Sequence, residues 1–169
     1  MNAEIIAVGS ELLTPFRQDT DSLYLTDKLN QLGVEVSFKT VVGDSREHIA
    51  ELTRVALSRV DLVIFTGGLG PTEDDLTREG VADALELPLV RDSEIVEALR
   101  KRFAKRGFKF TENNLKQADI ISGATVLANR NGTAPGQWIS GSYDNHEKII
   151  ILLPGPPHEM RPLFEEQCL

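Results

Sequence analysis

Between Thr66 and Asp75 the chain reads TGGLGPTEDD, three glycines and a proline followed by three adjacent acids. Glycines admit positive φ and let a ligand approach the backbone, and amides at the start of a following helix attract an anion. Thr66, Gly67, Gly68, Gly70, Pro71 and Thr72 therefore form a candidate phosphate cradle. The acids do not suit a bare phosphate, because Glu73, Asp74 and Asp75 repel it unless a divalent cation stands between. Carboxylate plus phosphate oxygen is the usual ligand set of Mg²⁺ and similar hard ions. A metal is thus implied. The stretch lacks Gly-Lys-Ser/Thr and is not a nucleoside-triphosphate P-loop.

Three further segments combine turn formers with polar groups after apolar runs: Gly9-Ser10-Glu11, Gly43-Asp44, and Pro154-Gly155 leading into Pro156-Pro157-His158-Glu159. Each also has a plain structural reading. Asp44 could cap a helix beginning at Ser45, with Glu47 completing a box, and Thr72 or Asp74 could cap the helix containing Leu76. Pro156 and Pro157 could simply open a helix. His48, His146 and His158 share no spacing that suggests zinc.

The elements that must position these residues alternate. Ala3 to Val8, Val34 to Val42 and Asp61 to Phe65 read as strands, and Asp19 to Gly33, Ser45 to Val60, Leu76 to Leu87 and Asp92 to Lys105 as helices. Glu112 to Ala118 reads as a short helix, and Thr125 to Leu127, Gln137 to Ile139 and Lys148 to Leu153 as the last strands, with turns at Asn131-Gly132 and Asp144-Asn145. This alternation predicts an α/β fold, a three-layer α/β/α sandwich with a mostly parallel, mixed sheet. The close spacing of the C-terminal strands predicts one antiparallel member. In such sheets ligands bind at the C-terminal strand ends, where all the segments above fall.

Composition narrows the class. A chain of 169 residues with 41% hydrophobic and 26% charged residues suits one domain, 1–169. A net charge of −8 argues against a nucleic-acid partner. The basic stretch Arg100 to Lys109 reads as the solvated face of a helix whose other side is Ile95, Leu99 and Phe103. The absence of a long apolar run predicts no membrane partner, and with no secretory pattern a cytoplasmic location is expected. Cys168 alone excludes an internal disulfide.

The stretches AVGSELL, VVGDS, TGGLGPTEDDLT, NGTAPGQW and LPGPPHEM, in this order, resemble the N-terminal domain of the CinA-like (competence- and damage-inducible) proteins. That domain belongs to the molybdopterin-binding, MoaB/MogA-like superfamily. The resemblance implies ADP-ribose pyrophosphatase activity, and a homodimer as the assembly. The nicotinamide mononucleotide deamidase domain that follows in relatives is not expected in these 169 residues. It assigns Asp44 and Asp75 as the acids of the metal and pyrophosphate site, against the capping reading of Asp44. It also brings in Gly132 and Thr133 from the GTAPG segment, and Gly155 from the last loop. One departure stands out: relatives commonly carry Asp-Thr-Asn where this chain has Asp19-Thr20-Asp21.

The expected chemistry is metal-assisted hydrolysis, with a Mg, Mn or Co ion on Asp75 and either Asp44 or Asp74, and AMP and ribose 5-phosphate as products. The alternatives are a nucleotide- or molybdopterin-binding module without turnover, and an adenylyltransferase-like step of molybdenum cofactor synthesis.

Overall fold

The computed structural model describes all 169 residues. Six strands form the main sheet: β1 (Asn2–Val8), β2 (Glu35–Val42), β3 (Leu62–Thr66), β6 (Thr125–Leu127), β7 (Gly136–Tyr143) and β8 (His146–Leu153). Their order is β2-β1-β3-β8-β7-β6. β2, β1, β3 and β8 pair in parallel, while β7 runs antiparallel to both neighbours and is the expected antiparallel member. The Asp144-Asn145 turn joins β7 to β8 with both residues at positive φ, as a tight hairpin requires.

Strand periodicity sorts the core into two halves. Ile6, Val8, Val63, Phe65, Ile150 and Leu152 pack on one face with Ile49, Ala56 and Leu57 of α2 (Arg46–Arg59) and Val81 and Leu85 of α3 (Thr77–Leu85). Ala3, Ile5, Leu62, Ile64, Ile151 and Leu153 pack on the other with Leu25 and Leu29 of α1 (Thr20–Gln31) and Met160, Leu163 and Phe164 of α5 (Pro157–Gln167). All five residues of β3 are buried, as in a strand covered on both faces. The sandwich is three-layered.

Two strands escape the sequence reading. β4 (Leu89–Arg91) and β5 (Asp119–Ile121) form a separate antiparallel pair. It is tied to the main sheet where Gln137 Oε1 accepts from the Ile121 amide at 2.8 Å. Three residues are too few to display a period of two. α4 (Ser93–Lys105) buries only Leu99. Its Arg100 lies 4.7 Å over the Phe110 ring. The expected short helix at Glu112–Ala118 is present, as a 3-10 helix. No helix is long and apolar enough to cross a membrane.

Candidate active site

Parallel pairing brings the C-terminal ends of β1, β2, β3 and β8 to one edge of the sheet. There a cleft of about 1200 Å³ opens. Gly9, Asp44, the stretch from Thr66 to Thr72, Asp74, Asp75, Thr133 and Gly155 all line it. Most of the residues singled out from sequence thus lie on one cleft, while Ser10, Gly43, Glu73, Gly132 and His158 do not line it. Gly132 is buried and does not line the cleft: its amide donates to Asn129 Oδ1 at 2.8 Å and Glu159 lies against its Cα.

The capping reading of Asp44 does not hold. Ser45 caps α2, and Asp44 Oδ2 instead accepts from the Ser10 amide at 2.9 Å while Ser10 Oγ accepts from the Asp44 amide at 3.0 Å. This reciprocal pair joins the ends of β1 and β2. Likewise neither Thr72 nor Asp74 caps α3, whose N-cap is Leu76 without a side-chain bond. Asp75 Oδ2 accepts from the Thr72 amide at 2.8 Å and from Thr72 Oγ1 at 2.7 Å, closing the loop on itself. The Pro156-Pro157 helix start is present, with Pro157 in the first turn of α5.

The backbone of the loop is polarised. The carbonyls of Gly67, Gly68, Leu69, Gly70, Thr72 and Asp75 all accept hydrogen bonds, from Thr77 Oγ1, the Thr77 amide, Arg78, Arg78, Lys116 and Lys116 respectively. The amides of Gly68, Leu69 and Gly70 donate to no protein acceptor. A run of free amides on a cleft wall is what an anion requires. Glycine is demanded at two positions. Gly67 and Gly68 have φ of 90° and 68°, and a Cβ would meet the Val8 carbonyl oxygen at one and the Thr77 hydroxyl at the other.

No three of the His, Cys, Asp and Glu side chains come together as a metal cage. Asp44 and Asp75 each have one oxygen engaged by hydrogen-bond donors, and Asp74 is exposed. Such a set fits a hard cation in one way: one or two carboxylates, the ligand's phosphate oxygens and water, the mode usual for Mg²⁺.

Sequence reasoning missed Arg78 and Gln117, and marked Asp21 only as a departure from relatives. Arg78 is fully buried behind the loop, and burial pushes its guanidinium below its ordinary value. In a helical run it reads as a surface residue. Gln117 lines the cleft, is 1% exposed, and donates to Thr133 Oγ1 at 2.8 Å. Asp21 is buried on the cleft wall with Oδ1 unpartnered, and burial followed by Asp19 raises its carboxyl to about 6, with Arg161 opposing.

A family model described as a probable molybdopterin binding domain matches residues 4–169. The fold agrees: the tungsten cofactor synthesizing protein MoaB from Pyrococcus furiosus superposes with a TM-score of 0.61 at 16% identity, over 97% of this chain and 88% of that one. Nearer likenesses are to CinA proteins. The crystal structure of the protein CinA from Thermoplasma acidophilum is 34% identical with a TM-score of 0.88, covering 98% of this chain and 95% of that one. A CinA-like protein of Koribacter versatilis is 58% identical over 168 residues, 99% of this chain and 41% of the relative. A putative competence-damage inducible protein of Bacillus cereus is 47% identical over 164 residues, 97% of this chain and 39% of that protein. The chain belongs to the probable molybdopterin-binding domain family, within its CinA-like branch. It spans about two-fifths of the length of the curated relatives it matches.

Proposed function

We propose that this chain hydrolyses the pyrophosphate of ADP-ribose or a similar nucleotide, with a divalent metal ion as cofactor. The observation that carries the reading is the pairing, on one cleft, of the free amides of Gly68, Leu69 and Gly70 with the carboxylates of Asp44, Asp74 and Asp75. Amides alone describe an anion site, and the acids beside them make sense when a cation accompanies that anion.

The loop amides hold phosphate oxygens and stabilise charge that grows as the bridging P–O bond breaks. Asp75, held by Thr72, and Asp44, held by Ser10, keep fixed positions on the cleft that the loop's glycines also line. A divalent ion, when bound, neutralises phosphate charge and lowers the pKa of a coordinated water. The free oxygen of Asp44 is the group that takes the proton of the attacking water, provided the water comes within ~3 Å. Water and ADP-ribose are consumed, and AMP and ribose 5-phosphate leave.

A second reading rests on the loop amides alone. The free amides of Gly68, Leu69 and Gly70 equally suit a nucleotide- or molybdopterin-binding module without turnover. Incubating the chain with ADP-ribose and Mg²⁺, Mn²⁺ or Co²⁺, and quantifying products by chromatography, decides between them. AMP and ribose 5-phosphate in equal amounts are expected. Saturable ADP-ribose binding with no AMP would replace the hydrolase by the binding module. Light scattering checks the homodimer that belongs to this reading.

A further inference from the structure

A peptide unit is planar and trans, so a carbonyl pinned in one direction sends the next residue's amide in the other. Arg78 Nη1 donates to the Leu69 carbonyl at 2.7 Å and Nη2 to the Gly70 carbonyl at 3.0 Å. The first bond orients the amide of Gly70; the second falls before Pro71, which has no amide. Lys116 Nζ donates to the Thr72 carbonyl at 2.8 Å and the Asp75 carbonyl at 2.6 Å, which orients the amides of Glu73 and Leu76. Those two amides, like that of Gly70, donate to no protein acceptor.

We propose that Arg78 and Lys116 are positioning residues for the anion site: they hold the loop's carbonyls so that the Gly70 amide on the cleft wall is presented to a pyrophosphate group and the adjoining turn, with the unpartnered Glu73 and Leu76 amides, keeps its shape. The inference rests on reading this loop as an anion site. Arg78 is 0% exposed and forms no salt bridge, so its charge is committed to carbonyls rather than to a carboxylate. A buried cation is costly unless it is hydrogen-bonded, and Arg78 commits Nη1 and Nη2 to these two carbonyls while its buried Nε has no partner. It also places positive charge behind the surface that an anion would approach. Lys116 carries its charge from the 3-10 turn at 112–118, with Glu79 Oε1 at 3.4 Å. The next residue, Gln117, is bonded to Thr133, and both line the cleft. One turn of chain thereby fastens two loops.

Lys116 is the residue to change, because removing the fully buried Arg78 endangers the fold itself. Lys116→Met keeps the apolar stem and loses the donors, and Lys116→Arg restores charge and donors. The probe is inorganic pyrophosphate without metal, with affinity measured by calorimetry and amide hydrogen exchange followed in residues 66–77. Lys116→Met is expected to weaken pyrophosphate binding about tenfold and to speed exchange in 66–77, and Lys116→Arg to return both to within about threefold of the unsubstituted chain. A lowered melting temperature in Lys116→Met with affinity and loop exchange unchanged would overturn the proposal, since that is the signature of a purely structural lysine. If the unsubstituted chain binds no pyrophosphate, the anion-site reading fails and the presentation of amides to pyrophosphate fails with it. Exchange that is faster in Lys116→Met and restored in Lys116→Arg would then show a brace for the loop alone.

Discussion

In the N-terminal half of β1, Glu4 is fully buried yet meets Arg59 Nη2 at 2.6 Å, Arg59 Nε at 2.9 Å and Thr40 Oγ1 at 2.7 Å. Nearby, Lys148 reaches the Val60 carbonyl at 2.7 Å. At the C-terminal ends of the same strands Asp21, Asp44, Asp74 and Asp75 line a cleft, and none forms a salt bridge. One end of the sheet neutralises its charges internally. The other keeps acids and free amides side by side, an arrangement that favours neither packing nor stability and that makes sense when a ligand and its counter-ion complete it.

The sharpest way to break the comparison is at the closed end. Arg59→Met strands the buried Glu4 carboxylate and is expected to cost about 3 kcal/mol, allowing for the partial exposure of Arg59. That lowers the melting temperature by roughly 6–12 °C. Turnover per folded molecule should stay level; a matching loss of activity at a temperature where the variant is folded would show that the two ends are not independent.

At the open end the pattern reverses. Asp75→Asn still offers an oxygen to the Thr72 donors, so its melting temperature should lie within a few degrees of the parent. Metal-dependent AMP release is expected to fall about a hundredfold, equivalent to roughly 2.7 kcal/mol of transition-state stabilisation. Unchanged release would remove Asp75 from the reaction.

The smallest effect tests Asp21. Its carboxyl is raised from 3.8 to about 6, so the folded state holds the proton more tightly than the unfolded chain does. Stability on this account is fully present below pH ~4, falls as pH rises toward 6, and is lost above that. Asp21→Asn removes the penalty: at pH 8 its melting temperature should exceed the parent's by about 2–5 °C, and the difference should vanish near pH 4. Parallel pH profiles for the two proteins would contradict a buried, ionising Asp21.

Much of the site was legible because its signals are local. Gly67, Gly68 and Gly70 after an apolar run announce a strand end, and a parallel sheet then gathers Asp44, Asp75 and Gly155 at one edge without further information. Other features depend on contacts far apart in sequence. Asp44 beside Ser45 looks like a cap from spacing alone; the family resemblance speaks against that, and the partner it takes instead, Ser10, lies 34 residues away. Lys116 acts 41 residues from Asp75, on a turn whose composition carries no sign of it. Gly132 shares the GTAPG signal with its neighbours, yet it is buried while the very next residue, Thr133, lies on the wall.

The contact between Gly155 and Gly67 has a consequence for how this cleft can be varied. A methyl group on Gly155 would sit 3.2 Å from the Gly67 Cα, and one on Gly67 would strike the Val8 carbonyl oxygen. The loops after β1, β3 and β8 therefore behave as one mutational unit, in which a change at any member is epistatic with the others. Selection or engineering for a different ligand has freer ground on the rim, where Pro15, Phe16, Arg17 and Gln18 line the same cleft and Phe16 is 92% exposed. Libraries confined to those four positions would explore new preferences while leaving the inherited floor intact.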